Sequence, residues 1–311
     1  MPHVLAVLAA AVLFGTTGTA QALGPDGTTP LSVGVMRMVI GGTGLALIAF
    51  PLARRHARAP RRVPTPRPSL TARPALLLAL TGVCLAVYQP LFFLGTQRNG
   101  VAVSTVIALG SAPVIAGLVE WATTRHLPSR IWMTATALAT AGVVLLGAGG
   151  ASGGGADPLG IVGAVGAGAA FAVFANVQRR LLDGGWDPFT VVGGMGLSAA
   201  AVSVVALPFV DVSWLAEPRG LVMALWLGLA TTSVAYVLFT WGLQGLSAAT
   251  AATLTLGEPL TASILGVAVL GEHLSQLAIA GLIVLGTGLA LLALGSRPAR
   301  KGAPSRPVTE G

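Results

Sequence analysis

Ten stretches of this chain are apolar for about the length that carries a helix across a bilayer, and that feature leaves few folds open to it. About 30 Å of hydrocarbon at a rise of 1.5 Å per residue takes about 20 residues. Because lipid offers no hydrogen bonds, each span has to satisfy its own backbone, which a helix does. The stretches are Val4–Leu23, Leu31–Leu52, Ala75–Thr96, Val101–Trp121, Ile131–Leu146, Leu159–Val177, Phe189–Phe209, Leu221–Leu243, Ala248–Leu270 and Leu277–Leu294. Composition agrees: 54% of 311 residues are hydrophobic and 9% charged, against roughly 25% charged in soluble domains. The expected fold is an all-α integral membrane protein of ten transmembrane helices.

The segments between spans carry breakers rather than domains: Gly24-Pro25-Asp26-Gly27, the Pro/Arg-rich 53–74, the glycine run within 147–158, then 183–188 and 211–220. Residues 296–311 are basic and proline-interrupted, a composition that predicts a disordered cytoplasmic tail. Ala20-Gln21-Ala22 has the form of a signal-peptidase site, but the preceding segment lacks Lys and Arg and its apolar run is long. An uncleaved first helix is the expectation.

Charge sets the orientation. With the N-terminus inside, every one of the 18 Lys and Arg residues falls on the cytoplasmic side except Arg98 and Arg219 outside and Arg37 within a span. Basic loops stay inside, so a plasma-membrane protein with both termini cytoplasmic is predicted. The net charge of +8 is therefore an orientation signal, not a nucleic-acid surface. The single Cys84 and the scattered His3, His56, His126 and His273 offer no disulfide, redox pair or metal-ligand spacing, and no cofactor motif is present.

Residues 1–149 laid over 150–295 give recurring matches: Gly95-x-Gln97 with Gly242-x-Gln244, Pro113 with Pro259, Ser129 with Ser275, Gly142 with Gly288, and Pro30 with Pro188. Each half holds five helices, an odd number, so the copies are expected to cross the membrane in opposite senses. Inverted repeats place a binding site near midplane between the copies.

The chain resembles the EamA family of the drug/metabolite transporter superfamily from about Val4 to Leu294. The residues that carry the likeness are Phe14-Gly15, where the family usually has Trp-Gly, Arg37, Ser111-Ala112-Pro113-Val114, Gly257-Glu258-Pro259-Leu260, Leu270-Gly271-Glu272, Gly281 and Gly288. The first copy departs at His126, where the family commonly has the glutamate kept at Glu272 in the second. The resemblance implies two five-helix modules and transport of small metabolites, often as export.

Two charges lie within the spans. Glu258 is about ten residues into its span, roughly 15 Å deep, where a carboxylate costs about 2.5–3.5 kcal/mol and so faces a cavity or a partner. It either binds a substrate ammonium or exchanges a proton, or it stabilises a helix kinked by Pro259. Arg37, about seven residues into the second span, either recognises a substrate carboxylate or clamps helices together, with Glu258 as one partner. The second copy has Met195 at its equivalent place. Thr16, Thr17, Tyr88, Gln89, Asn176, Tyr236 and Trp241 are candidate cavity-wall residues, each with the alternative of bonding neighbouring helices. Of these, Tyr88, Gln89, Tyr236 and Trp241 join Arg37 and Glu258 as the expected substrate-binding set. Glu120 reads as a solvated helix end.

The sequence lacks HExxH, a phosphate loop and a second intramembrane acid, so an intramembrane enzyme is the weaker reading, as is a purely structural role. The predicted function is secondary transport of a small metabolite, an amino acid or similar or a drug-like molecule, by alternating access. The partners expected are a small-molecule substrate and the lipid bilayer, with no nucleic acid; the 42 glycines leave room for a homodimer.

Overall fold

The computed structural model describes residues 1–58, 70–148 and 157–295, apart from the side chain of Ala102. The expectations for Arg61, Arg62 and Arg67, for the glycine run at 149–156 and for the tail at 296–311 lie outside the described residues. Among the described residues ten apolar helices are long enough to cross a membrane: α1 Pro2–Ala22, α2 Pro30–Arg58, α3 Ala72–Val101, α4 Val103–Thr124, α5 Arg130–Ala148, α6 Pro158–Asp183, α7 Pro188–Phe209, α8 Pro218–Leu243, α9 Ala248–Leu270 and α10 Gln276–Gly295. Among the described residues there is no strand. Every expected span is found, most lengthened by a few residues.

Proline and capping residues explain several starts. Pro2, Pro158, Pro188 and Pro218 occupy the first turns of α1, α6, α7 and α8, where a missing N–H costs nothing. Asp157 and Asp187 cap α6 and α7 through their side chains. Between α3 and α4 the gap expected after Thr96 is helical, and the chain turns at Gly100 (φ 75°, ψ 164°). That conformation is open to glycine and strained for other residues. Residues 211–220 are also more ordered than a plain loop, with Trp214 buried and its Nε1 donating to Ser32 Oγ at 3.1 Å.

α2 packs along α7 and α5 along α10; α1 contacts α8 and α9, while α6 contacts α3 and α4. Exchanging each helix with the one five places later reproduces this set of pairings. The α3–α4 turn is fastened to the start of α6 instead of to α1 or α9. Arg98 Nη1 meets Asp157 Oδ2 at 3.1 Å, Asn99 Nδ2 donates to the Asp157 carbonyl at 3.1 Å, and the Asp157 N–H donates to Asn99 Oδ1 at 2.6 Å.

The N–H of Leu159 bonded to Asp157, and then Arg98, hold this carboxyl below the usual carboxylate range. A depressed value adds stability that is present above the ordinary carboxylate range and is lost as pH falls through the folded value. Asp157→Ala is therefore expected to unfold at a lower temperature than the parent at neutral pH, with the gap closing toward about pH 3. Thermal unfolding in detergent across that range checks it; a gap independent of pH would remove the carboxylate from the explanation.

Candidate functional site

Five of the six residues expected to bind substrate line one central cavity. Arg37 comes from α2, Tyr88 and Gln89 from α3, Tyr236 from α8 and Glu258 from α9. Phe14 of α1, Phe171 of α6, Thr255 of α9 and the α4 residues Ala108, Leu109 and Ala112 complete the wall. Phe14 and Tyr236 rings lie 5.1 Å apart by centroid, and Phe171, Phe174, Tyr236 and Phe239 form a set of edge-on ring contacts beside them. The cavity is therefore aromatic-walled with one guanidinium, one carboxylate and one amide. Its volume is about 50 Å³, well below the roughly 150 Å³ that admits benzene.

Arg37 and Glu258 do not pair, which excludes the direct bridge between them allowed by the sequence. Instead Arg37 Nε donates to Thr232 Oγ1 at 3.0 Å and Nη2 to the Thr231 carbonyl at 3.2 Å. Both acceptors lie in Trp226–Val234, where α8 widens into a π-helix. There Thr232 Oγ1 reaches back five residues to the Leu227 carbonyl at 2.9 Å, and Ser233 Oγ bridges the Gly228 carbonyl and the Gly41 carbonyl of α2 at 3.3 and 2.8 Å. Such one-turn widenings leave backbone groups short of helical partners and are frequent at functional sites. Gly41, one turn beyond Arg37, admits the approach: a side chain there would meet Thr232 and the Gly228 carbonyl.

Thr232 is buried, so replacing its hydroxyl by a methyl strands a donor of a charged group. Thr232→Val is expected to cost about 1.5–3 kcal/mol, read as a lower apparent unfolding midpoint, while Thr232→Ser keeps the parent value. Equal midpoints for Val and Ser would mean that this bond holds nothing.

α9 breaks at Thr255-Leu256, between its first half Ala248–Leu254 and Gly257–Leu270. Pro259 supplies no N–H, and the Glu258 N–H turns to the Thr255 carbonyl at 2.9 Å. Glu258 thus opens the second half-helix and faces the cavity, joining the kinked-helix reading to the cavity reading. At the place equivalent to Arg37, Met195 is buried and its sulfur accepts from Gln178 Nε2 at 2.8 Å; Gln178 Oε1 in turn accepts from Thr240 at 2.9 Å. The asymmetry expected from sequence is a charged site against a neutral closed network.

Other candidates lie elsewhere. Trp241, expected to bind substrate, is absent from the cavity wall; its ring packs on His3 at 4.9 Å and is partly exposed. It follows Tyr236 by five residues, and about 100° of helix per residue turns it roughly 140° away. Thr16 accepts from Trp226 Nε1 at 2.9 Å, and Asn176 donates to the Ala116 and Ala172 carbonyls at 3.2 and 2.9 Å. The Thr17 hydroxyl is buried without a partner. Glu120 is not a solvated end: its Oε2 accepts the Ala249 N–H at 3.1 Å.

A vestibule lies at each end of the central cavity. One, of about 700 Å³, is bounded by α1, the α3–α4 turn and α9, with Thr19, Asn99, Ser263 and Glu272 in its wall. The other, of about 610 Å³, is bounded by α6, the α8–α9 turn and α4, with Glu120, Asn176 and Arg179 in its wall. Helices exchanged five places along the chain convert one set of walls into the other.

A ten-helix membrane protein with a charged, aromatic-walled cavity between two vestibules is built as a transporter. The model of the EamA-like transporter family matches residues 1–148 and 158–294, so the chain belongs to that family. It is 40% identical over 293 residues, covering 94% of each chain, to the uncharacterized transporter YwfM of Bacillus subtilis (strain 168). A crystal structure aligns with a TM-score of 0.75 over 94% of this chain and 98% of its own at 20% identity, a likeness in fold.

Proposed function

We propose that this protein is a secondary transporter that carries a small zwitterion, an amino acid or a close relative, across the plasma membrane by alternating access, as an exporter. The observation that carries the substrate class is the unpaired Arg37 and Glu258 in one narrow cavity. Of the five N–H donors of a guanidinium, Arg37 spends one at Nε and one at Nη2 on α8, which leaves three for a carboxylate. Glu258 is the acid available to an ammonium group, and the rings suit an apolar side chain between them.

Alternation is supported by the exchange symmetry of the helix pairings and of the two vestibules, the arrangement two inverted five-helix copies would produce. Arg125 and Gly271, which end α4 and α9, share a left-handed backbone (φ 61° and 71°), as equivalent positions would. A cavity too small for an amino acid also requires the helices to part during transport. The excess of Lys and Arg at the N-terminal end supports cytoplasmic termini. Glu258 is proposed to exchange a proton during the cycle; no chemical step on the substrate is proposed.

Thermal shift of purified protein against amino acids, nucleosides, sugars and cationic drugs tests this reading. An amino-acid shift lost in Arg37→Ala and moved to higher amino-acid concentration in Glu258→Gln is the expected result. A shift produced by sugars or nucleosides and kept in both variants would overturn the zwitterion assignment.

A further inference from the structure

We propose that Glu120 is the latch of an inner gate: its carboxylate pins the half-helix that leads to Glu258, and its release opens the cavity toward the N-terminal side. The proposal rests on the alternating-access reading above. Three polar contacts close that end. Glu120 Oε2 accepts the Ala249 N–H at the first turn of α9, Arg179 Nη1 donates to the Leu243 carbonyl at the end of α8, and Asn176 Nδ2 reaches the Ala116 carbonyl of α4. The α8–α9 turn is thereby held between α4 and α6. Arg179 is itself braced by Asp183, with Nη2 to Oδ1 at 2.7 Å.

A carboxylate is the suitable group at this point. The first N–H groups of a helix have no partner within it, and the positive end of the helix dipole favours an anion. Ser247 takes the Thr250 N–H at 3.2 Å and Glu120 takes the next free one, so the start of α9 is satisfied only while α4 stays beside it. From there the half-helix runs to Leu254, directly before Thr255 and Glu258 in the cavity wall. Movement of α4 at Glu120 is thus transmitted to the carboxylate in the cavity.

The opposite end has no such fastening. Among the described residues no hydrogen bond joins α1, α9 and the α3–α4 turn there, since Arg98 and Asn99 bond to Asp157 ahead of α6. The barrier at that end is the contact of Gly15 with Thr261 and the Glu258 carbonyl. Along α9 it spans Glu258 to Ala262, about 6 Å at the helical rise, whereas Thr255 to Ser247 on the latched side spans about 12 Å. The structure is the latched state, with the thinner barrier facing away from the N-terminus.

Cysteine accessibility tests this without knowledge of the substrate. Cys84→Ala removes the one native thiol, and Ala112→Cys places a reporter in the cavity wall. A charged, impermeant methanethiosulfonate is added to either face of oriented membrane vesicles. The parent is expected to label faster from the face opposite the N-terminus. Glu120→Ala and Arg179→Ala should each raise labelling from the N-terminal face about tenfold; Glu120→Gln, which keeps an acceptor oxygen, should raise it less. Labelling raised equally from both faces, with a lower unfolding midpoint, would mean that Glu120 only stabilises the fold. Parent labelling from both faces at unequal rates, unchanged by Glu120→Ala and Arg179→Ala, would overturn the latch and leave alternating access standing. Labelling from one face alone in the parent and every variant would overturn alternating access, and the latch with it.

Discussion

Arg37→Ala is expected to reduce the initial rate of amino-acid uptake into proteoliposomes, at low substrate, about 30- to 100-fold. The reasoning begins with the two bonds to Thr232 Oγ1 and the Thr231 carbonyl, which fix the guanidinium plane and leave its remaining donors toward the cavity. A charged hydrogen bond to a carboxylate is worth about 1.5–3 kcal/mol, and each 1.4 kcal/mol is tenfold in affinity. Arg37→Lys keeps the charge but not the fork. An ammonium on a flexible stem has no fixed plane with which to hold two acceptors of α8 and present further donors to a substrate. It is therefore expected to lose about tenfold. Uptake at saturating substrate separates the two roles: recognition predicts recovery when substrate is raised, whereas a clamp that only joins α2 to α8 predicts loss of apparent thermal stability with the half-saturating concentration unchanged. Parent rates in both variants would end the carboxylate assignment.

How much of this site could be read from sequence depends on which residues stand out in an apolar helix. Arg37, Tyr88, Gln89, Tyr236 and Glu258 do stand out, because polar groups in hydrocarbon are costly unless they face one another or a cavity, and they converge on a single cavity. Phe14, Phe171, Ala108 and Ala112 form as much of the wall, yet apolar residues in apolar spans give no signal about which face is inward. Trp241 has the composition of a site residue and the wrong helical phase. The π-helical stretch of α8 carries no Gly-Pro breaker at its centre. It is held by contacts from α2, the Gly41 carbonyl and Arg37, which become neighbours only on folding. Glu120 is the same case: its partner Ala249 is 129 residues away, so the end of α4 reads as solvated until α9 is placed against it. The ten spans needed no such information, because each is determined by its own length and hydropathy.

Glu258→Gln is expected to abolish accumulation driven by a pH gradient while leaving exchange of labelled for unlabelled amino acid largely intact. A pH difference of one unit supplies about 1.4 kcal/mol per proton, and 100 mV of potential about 2.3 kcal/mol per charge. One proton moved per cycle under both therefore sustains a substrate gradient of several hundredfold. That driving force reaches the substrate only through a group that takes up the proton on one side and releases it on the other. Glu258 is suited to this by position: it lines the cavity, has no ion pair with Arg37, and opens the half-helix after the break in α9. Glutamine keeps the shape and an acceptor oxygen but cannot titrate. Its amide also leaves the substrate ammonium a weaker partner, so exchange should need a higher substrate concentration while reaching the parent maximum. The two assays on one preparation separate coupling from binding. Loss of both would make Glu258 indispensable to binding and leave its proton role without support. Accumulation at the parent level in Glu258→Gln would exclude this carboxylate as the proton carrier and reduce the transporter to facilitated diffusion or coupling through another group.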